Sequence, residues 1–110
     1  MTRTPFIGKW RITEMETWDS EFIDAEEEGH FTFDEGHQGE FQFGYVQGFM
    51  DCEIETVDGK PRIAFSWVGT DERDPVTGRG WARCERDRTL FGMLFFHNGD
   101  SSWFKGKRKK

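Results

Sequence analysis

Three histidines among many carboxylates are the first side chains in this 110-residue sequence that suggest chemistry. Imidazole and carboxylate groups together can bind a metal ion or transfer a proton. His30, His37 and His97 form no His-X-His pair and no helical pair beside a glutamate, so their spacing does not predict a metal site. His97 and Asp100 flank a predicted turn, where a turn-stabilising hydrogen bond explains them better than an oriented base does. His97, Asp100 and Arg83 are the best candidates for catalysis that remain.

The two cysteines give no better case for an enzyme. Cys52 and Cys84 both fall on a predicted apolar strand face, where burial raises the pKa of a thiol and leaves it inert. Two cysteines are too few for a disulfide scaffold or a four-cysteine zinc site, and they suit a reducing compartment. The sequence also contains no nucleophile elbow, phosphate loop or dinucleotide fingerprint. We therefore expect a non-enzymatic protein without a metal or cofactor.

The composition is typical of one folded domain. Hydrophobic residues make up 35% of the chain, aromatic residues 16% and charged residues 33%, and disordered chains lack aromatics at this level. The longest uncharged stretch is far shorter than the roughly 20 apolar residues of a membrane span. The first residues contain no apolar run typical of a secretion signal. We expect a single β-domain over residues 1–110, in the cytoplasm and without membrane contact.

The charges are divided unevenly along the chain. Residues 12–59 hold 15 of the 21 acidic residues and no lysine or arginine, whereas residues 60–110 hold 12 of the 15 basic ones. Five of these basic residues form the tail 105–110. The tail alone is typical of a phosphate-binding segment, but the rest of the chain is strongly acidic and would repel a polyanion. The sequence therefore predicts a solvated tail that pairs loosely with the acidic half, and no nucleic-acid binding.

Apolar residues recur at every second position between glycine-containing turns, a pattern typical of β-strands. One segment, 17–28, has helical spacing instead, with Asp19 or Ser20 available to cap its first turn. The polar segment 70–78 is predicted to be the longest loop and the best candidate for a functional one. The predicted strands are 7–15, 30–34, 40–46, 49–57, 61–68, 79–86, 89–97 and 100–107.

The predicted turns decide which residues of neighbouring strands face each other. Asp58-Gly59 is typical of a two-residue type I′ turn, and it pairs strand residues so that one face is wholly apolar. A turn at Gln47-Gly48 and a loop at 36–38 continue the same face. The predicted pairs are Ile54 with Ile63, Cys52 with Phe65, Met50 with Trp67, Phe43 with Cys52, and Phe33 with Phe41. Because separate turns agree, the sequence predicts an antiparallel meander with one buried face.

Eight such strands with one dominant inner face are most economically a small closed barrel, because closure removes the edge strands. A half-open roll or a sandwich is the alternative. The interior of an eight-stranded barrel is either filled by side chains or holds one small ligand. We expect an aromatic lining and place a small apolar or aromatic ligand against Trp10, Phe43, Tyr45, Phe65 and Trp67.

A second apolar surface is predicted near the end of the chain. A turn at Asn98-Gly99 pairs Leu94 with Trp103, and a turn at Asp87-Arg88 brings Trp81 beside Leu94. The resulting face exceeds the roughly 300 to 600 Å² patch that a monomer leaves exposed. Either the helix at 17–28 or a second subunit covers it, although the helix could instead close one barrel end. The residues assigned to this interface are Trp81, Arg83, Leu94, Phe96 and Trp103.

The triplet Gly8-Lys9-Trp10, on the first strand of a meander with an early helix, is similar to the Gly-X-Trp signature of the calycins, the lipocalin and fatty-acid-binding barrels. A second calycin signature is a late arginine that packs on this tryptophan, and Arg108 is its one candidate. The resemblance implies that Trp10 plugs the closed end of the barrel. It also implies that the opposite, open mouth admits a small apolar ligand.

Other segments resemble short bacterial proteins of the kind often found in mobile elements such as integron cassettes. That resemblance implies a bacterial, cytoplasmic protein and carries no activity with it. The segments are Gly8-Lys9-Trp10-Arg11-Ile12, Gly39-Glu40-Phe41-Gln42-Phe43-Gly44, Gly78-Arg79-Gly80-Trp81-Ala82 and Phe95-Phe96-His97-Asn98-Gly99-Asp100-Ser101-Ser102. Two functions follow from the sequence as hypotheses. One is a calycin-like barrel that binds a small molecule in its aromatic interior, and the other is a protein-interaction module that docks a partner or forms a homodimer through the second face.

Overall fold

Within residues 5–85 and 88–109, the part of the chain that the computed structural model describes, eight antiparallel strands close into a barrel in chain order. The last strand pairs with the first, so the barrel is closed rather than half open. This confirms the predicted small meander barrel with a short helix after its first strand. The elements are β1 (Gly8–Met15), α1 (Ser20–Ile23), β2 (His30–Phe33), β3 (Gln38–Phe43), β4 (Val46–Val57), β5 (Lys60–Asp71), β6 (Asp74–Cys84), β7 (Thr89–Phe96) and β8 (Ser101–Arg108).

The β4–β5 hairpin has the register that its turn residues predict. Asp58 and Gly59 have φ angles of 52° and 77°, the left-handed pair that a type I′ turn requires. This turn fixes alternate residues of β4 and β5 on the inner face, where apolar side chains are buried. The pairs predicted from it are all present: Ile54 with Ile63, Cys52 with Phe65, and Met50 with Trp67.

The β3–β4 turn lies three residues earlier than predicted. Gly44 and Tyr45 form it, with Gly44 at a φ of 56°, so Phe43 pairs with Val46 and not with Cys52. The register moves by an even number of residues, which keeps the inner face inward. Tyr45, predicted to line the interior, instead lies in the turn with 42% of its side chain exposed.

Two other connections differ in length from their predictions. The β2–β3 loop is held by the carboxylate of Asp34, which accepts hydrogen bonds from two backbone amides of the loop. As a result Phe41 pairs with Phe31 and not with Phe33. The predicted loop at 70–78 is wrong, because β5 and β6 continue through it to a tight turn. Glu72 and Arg73 form that turn with φ angles of 51° and 81°.

The helix α1 is one turn long and shorter than the predicted 17–28. Asp19 caps its start, accepting a hydrogen bond from the amide of Phe22 at 3.0 Å. Asp24 follows its end and accepts from the amide of Gly29 at 2.8 Å, a local bond that competes with further helix. The ring of Trp18 lies 4.9 Å from that of Phe43, so this connection closes one end of the barrel.

The β7–β8 hairpin differs from its prediction by one residue. Its connection is the four-residue segment 97–100, closed by a hydrogen bond from the Phe96 amide to the Asp100 carbonyl at 2.9 Å. Trp103 therefore pairs with Met93, and Leu94 does not face it. A one-residue change exchanges the two faces of a strand. Leu94 points into the barrel at 0% exposure, whereas Trp103 is on the outer wall.

The β6–β7 register is also one residue from its prediction, since Trp81 pairs with Met93. Asp87 of the predicted Asp87-Arg88 turn lies outside the described residues. The single predicted face of Trp81, Leu94, Phe96 and Trp103 is therefore wrong: the two tryptophans lie on the outer wall, while Leu94 is in the core and Phe96 packs against it.

Aromatic rings fill the barrel interior. The ring of Phe31 lies 4.4 Å from that of Phe104 and 5.0 Å from that of Phe41, centroid to centroid. Trp67 extends the cluster, 5.0 Å from both Phe41 and Phe96. Glycines on neighbouring strands make room for these rings, since a Cβ at the glycine would lie within 3 Å of ring atoms. The pairs are Gly48 with Phe41, Gly80 with Phe65, and Gly92 with Phe104.

Candidate functional site

Four apolar side chains form a half-buried patch on the outer wall, which we call the outer aromatic face. Trp81 lies on β6, Phe91 and Met93 on β7, and Trp103 on β8. Met93 pairs with both tryptophans across the strands, and Phe91 lies 6.2 Å from each tryptophan ring. Trp81 and Trp103 were predicted at an interface, whereas Phe91 and Met93 were not among the residues assigned to it. Phe91 and Met93 would have been identified if the outward-pointing side chains of β7 had been assigned correctly.

Cations lie over the rings of this face. The guanidinium of Arg62 is 4.6 Å from the Trp81 ring centroid, and that of Arg83 is 4.9 Å from the Phe91 centroid. The ammonium of Lys105 lies 5.4 Å from the Trp103 ring. Arg62 also pairs with Glu55 and Arg83 with Glu85, so cation–π contacts and ion pairs together hold the two guanidinium groups at the patch. Arg83, assigned to the interface from the sequence, also lies near Trp81, with its guanidinium 5.8 Å from that ring centroid.

Because the strands follow one another around the barrel in chain order, the uneven charge of the sequence gives the barrel one acidic side and one more basic side. Strands β1–β4 carry the acidic segment and form one half of the wall, while β5–β8 form the other. Trp81 and Phe91 of the outer aromatic face also line a surface groove of about 1070 Å³. Its charged lining consists of Lys60, Arg62, Arg83, Lys105 and Lys107 against Asp58 and Glu85. This side of the barrel therefore presents a local excess of positive charge.

The helix leaves the outer aromatic face open. Trp18 and Phe22 make their ring contacts with Phe43, Tyr45 and Phe96, all at the barrel end. Phe22 also packs directly on Gly44, where a Cβ would lie 2.3 Å from its ring. The helix therefore does not cover the second apolar surface that the sequence predicted. It closes one end of the barrel, which was the other position predicted for it.

The residues predicted to bind a ligand inside the barrel belong mostly to its packed core. Trp10, Phe43, Phe65 and Trp67 are all buried among other rings. Tyr45 is outside, on the β3–β4 turn. The interior is filled by its own side chains, one of the two states open to a barrel of eight strands. A ligand would have to displace rings that are already in contact.

The opposite barrel end is closed around Trp10. Its indole nitrogen donates to the Phe6 carbonyl at 2.9 Å. The guanidinium of Arg108 lies 4.3 Å from the Trp10 ring centroid and donates to the carbonyls of Pro5 and Ile7, both at 2.6 Å. Arg108, the late arginine singled out in the sequence, thus packs on Trp10. Residues 105–108 of the basic tail belong to strand β8. Through Arg108, this strand holds the segment that precedes β1.

The histidines do not form a reactive cluster. His30 is buried at 5% exposure, and its Nε2 lies 3.0 Å from a carboxylate oxygen of Glu40. Its burial was not predicted, and it follows from packing beside the 24–29 connection, where its Nδ1 lies 3.1 Å from the Glu28 carbonyl. His37 and His97 are exposed in connections. No group of three potential metal ligands occurs within residues 5–85 and 88–109.

The two cysteines lie in different surroundings. Cys52 is buried in the barrel. Cys84 is half-buried, and its Sγ lies 3.3 Å from the Pro5 carbonyl. Burial raises the pKa of the Cys84 thiol, with nearby Arg108 acting weakly in the opposite direction. Neither environment activates a nucleophile.

Comparison with known proteins adds no family, since neither a protein-family model nor a curated protein matches the chain. Across the described part of the chain, no helix has the length and apolar character needed to cross a membrane.

Proposed function

We propose that this protein is a non-enzymatic interaction module whose outer aromatic face binds an acidic protein surface. The observation that carries the proposal is the uncovered strip of Trp81, Phe91 and Trp103 with Arg83 and Lys105 over its rings. Tryptophan and arginine dominate the binding energy of protein interfaces, because both combine apolar area with a polar end.

Charge favours an acidic partner over a second copy that docks the same face. Two copies meeting face to face would bring Arg83 and Lys105 against identical cations, which costs binding energy. An acidic surface would meet them favourably, and the adjacent groove adds Lys60 and Lys107. The acidic side of the barrel would meanwhile repel a long nucleic acid. We therefore assign the face to carboxylates set among apolar side chains on another protein.

An acidic peptide tests this proposal directly. A fluorescein-labelled peptide of alternating glutamate and leucine is titrated with the protein and followed by anisotropy, beside a peptide in which glutamine replaces each glutamate. We expect the glutamate peptide to bind at least about tenfold more tightly, since charged hydrogen bonds contribute about 1.5–3 kcal/mol each. Its binding should weaken from low to high salt, as screening shortens the reach of the cations.

A matched pair of charge reversals locates the site. Arg83→Glu with Lys105→Glu should weaken binding of the glutamate peptide at least about tenfold. Arg73→Glu with Lys9→Glu makes the same change of charge at exposed positions away from the face and should have a smaller effect. Equal losses in both variants, or equal affinity for the glutamine peptide, would refute the site. A stable homodimer abolished by Trp103→Ala would refute it too, because the face would then belong to a second copy.

Other predictions about the protein remain proposals with their own support. The Arg108–Trp10 contact supports a calycin-like barrel that binds a small apolar ligand, but the filled interior leaves the outer face as the better-supported site. The small number of cysteines, two in the chain, supports a cytoplasmic location. A bacterial origin among mobile elements is supported by the quoted sequence segments alone.

A further inference from the structure

A separate surface feature crosses the barrel wall over β4–β7 and is distinct from the outer aromatic face. It begins at two large apolar side chains that point into solvent, Phe49 and Val68, which are 56% and 59% exposed. They are direct partners across β4 and β5, so their side chains lie side by side. Neighbouring exposed apolar residues of this kind are typical of binding surfaces.

The other border of this feature is a cation on an aromatic ring. Arg79 of β6 pairs with Phe95 of β7, and its guanidinium lies 4.2 Å from the Phe95 ring centroid. Arg79 is exposed and forms no ion pair within the described part of the chain. Stacking fixes the guanidinium plane and leaves its hydrogen-bonding edge free for a carboxylate.

Small side chains open a groove between these two borders, which we call the wall groove. Ser66 pairs with Arg79, and Thr77 pairs with Val68, so both hydroxyl-bearing residues lie between the apolar pair and the cation. The groove has a volume of about 840 Å³. That is within the range of sites for one small organic molecule.

A buried indole lies behind the wall groove and can report on it. Trp67 lines the wall groove at 2% exposure, and its Nε1 has no hydrogen-bond partner within the described residues. Gly78 also lines the groove, and a Cβ there would stand 2.7 Å from Trp67 Nε1. Both residues face the barrel interior, so this nitrogen lies on the inner side of the wall, directly behind the part of β6 that borders the groove.

We propose that the wall groove binds a small aromatic carboxylate. Its ring packs on Phe49 and Val68, and its carboxylate accepts hydrogen bonds from Arg79. Asp51 lines the same groove and repels the carboxylate, which orients it toward the arginine. This site takes a ligand on the outside of the wall, where no core ring has to move, and it does not depend on the outer aromatic face.

Two matched probes, 2-naphthoate and uncharged 2-naphthamide, separate the carboxylate from the ring. Binding is followed by NMR on ¹⁵N-labelled protein through the indole signal of Trp67, which Trp67→Phe identifies by its loss. We expect naphthoate to bind about tenfold more tightly than naphthamide and to shift this signal. Arg79→Gln should remove the tenfold preference while naphthamide binding persists.

Two further variants, both at exposed positions outside the packed core, serve as controls for the site. Arg73→Gln removes another exposed arginine outside the groove and should keep the preference for naphthoate. Phe49→Ser changes an exposed side chain and should weaken both probes. Equal binding of the two probes, an unchanged preference in Arg79→Gln, or shifts centred on Trp81 and Trp103 would each overturn the proposal.

Discussion

The inner and outer sides of the barrel wall accommodate aromatic rings by different means. Strand β6 shows both at once, since Gly80 and Ala82 point inward while Arg79, Trp81 and Arg83 point outward. Inside, a missing side chain makes the room that a ring fills, as Gly80 does for Phe65. Outside, the rings lie beneath arginine and lysine side chains.

The difference has a functional consequence. Inner rings gain stability from complete removal from water and from contact on every side, which leaves no surface for a partner. Outer rings are covered only in part, by cationic side chains that a partner can displace or share. The same residue type therefore stabilises the fold on one side of the wall and offers a binding surface on the other.

Adjacent aromatic residues on β8 give the largest test of this contrast. Phe104 points inward at 0% exposure and stacks on Phe31, whereas Trp103 points outward. Phe104→Ala should lower the free energy of unfolding by about 3–5 kcal/mol, because it leaves a cavity. Trp103→Ala should lower it by less than about 1.5 kcal/mol, the range of one aromatic contact. Guanidinium denaturation followed by circular dichroism measures both, and equal losses would show that the outer face is packed like the core.

A methyl group added to the inner wall is expected to have the next largest effect. At Gly92, a Cβ would lie 2.1 Å from the Trp81 carbonyl oxygen and 2.6 Å from the Phe104 ring, so Gly92→Ala forces the wall apart. We expect a loss of about 1–3 kcal/mol in unfolding free energy. Gly36→Ala is the matched control, since its nearest neighbour is 3.6 Å away, and it should change stability by no more than about 0.5 kcal/mol. A tolerated Gly92→Ala would mean that the glycine is not needed for ring packing.

The inner wall was predictable where local residues determine the turn. Asp58-Gly59 adopts the left-handed angles that its residue types favour, so the whole β4–β5 register follows from two positions. The predicted β3–β4 register was wrong by an even number of residues, and alternation still kept its core residues inward. Tyr45 was misplaced because the turn itself moved onto it.

The outer wall was predicted less well because β7 is apolar on both sides. Both faces of β7 are apolar, so its sequence does not show which face points inward. A one-residue error at the 97–100 connection therefore exchanged the two faces. One face carries Phe91, Met93 and Phe95, and the other carries Leu90, Leu94 and Phe96. Trp81, Arg83 and Trp103 nevertheless lie together on the surface. The wall groove is lined by residues from five strands, which no single turn predicts.

The smallest expected effect concerns the exposed charges that join the chain end to the acidic side. Lys109 Nζ lies 2.6 Å from a carboxylate oxygen of Glu28, and Arg11 contacts the same carboxylate at 3.1 Å. The hydrogen bond from Lys109 lowers the pKa of Glu28, and the charge of Arg11 adds to this. Because the pKa of Glu28 is lower in the folded than in the unfolded protein, the pair stabilises the fold above the unfolded pKa. That contribution is lost as the pH falls through the folded pKa.

Removing the lysine should therefore move the titration of one carboxylate and little else. Lys109→Met should raise the pKa of Glu28, measured by NMR on the side-chain carboxyl carbon, and Lys60→Met should leave it unchanged. Because both partners are in contact with water, we expect the variant to unfold at nearly the same denaturant concentration as the parent. If Lys109→Met instead destabilised the protein as much as Gly92→Ala, charges on the outer wall would contribute as much as ring packing within it. The contrast between the two sides of the wall would then rest on binding alone.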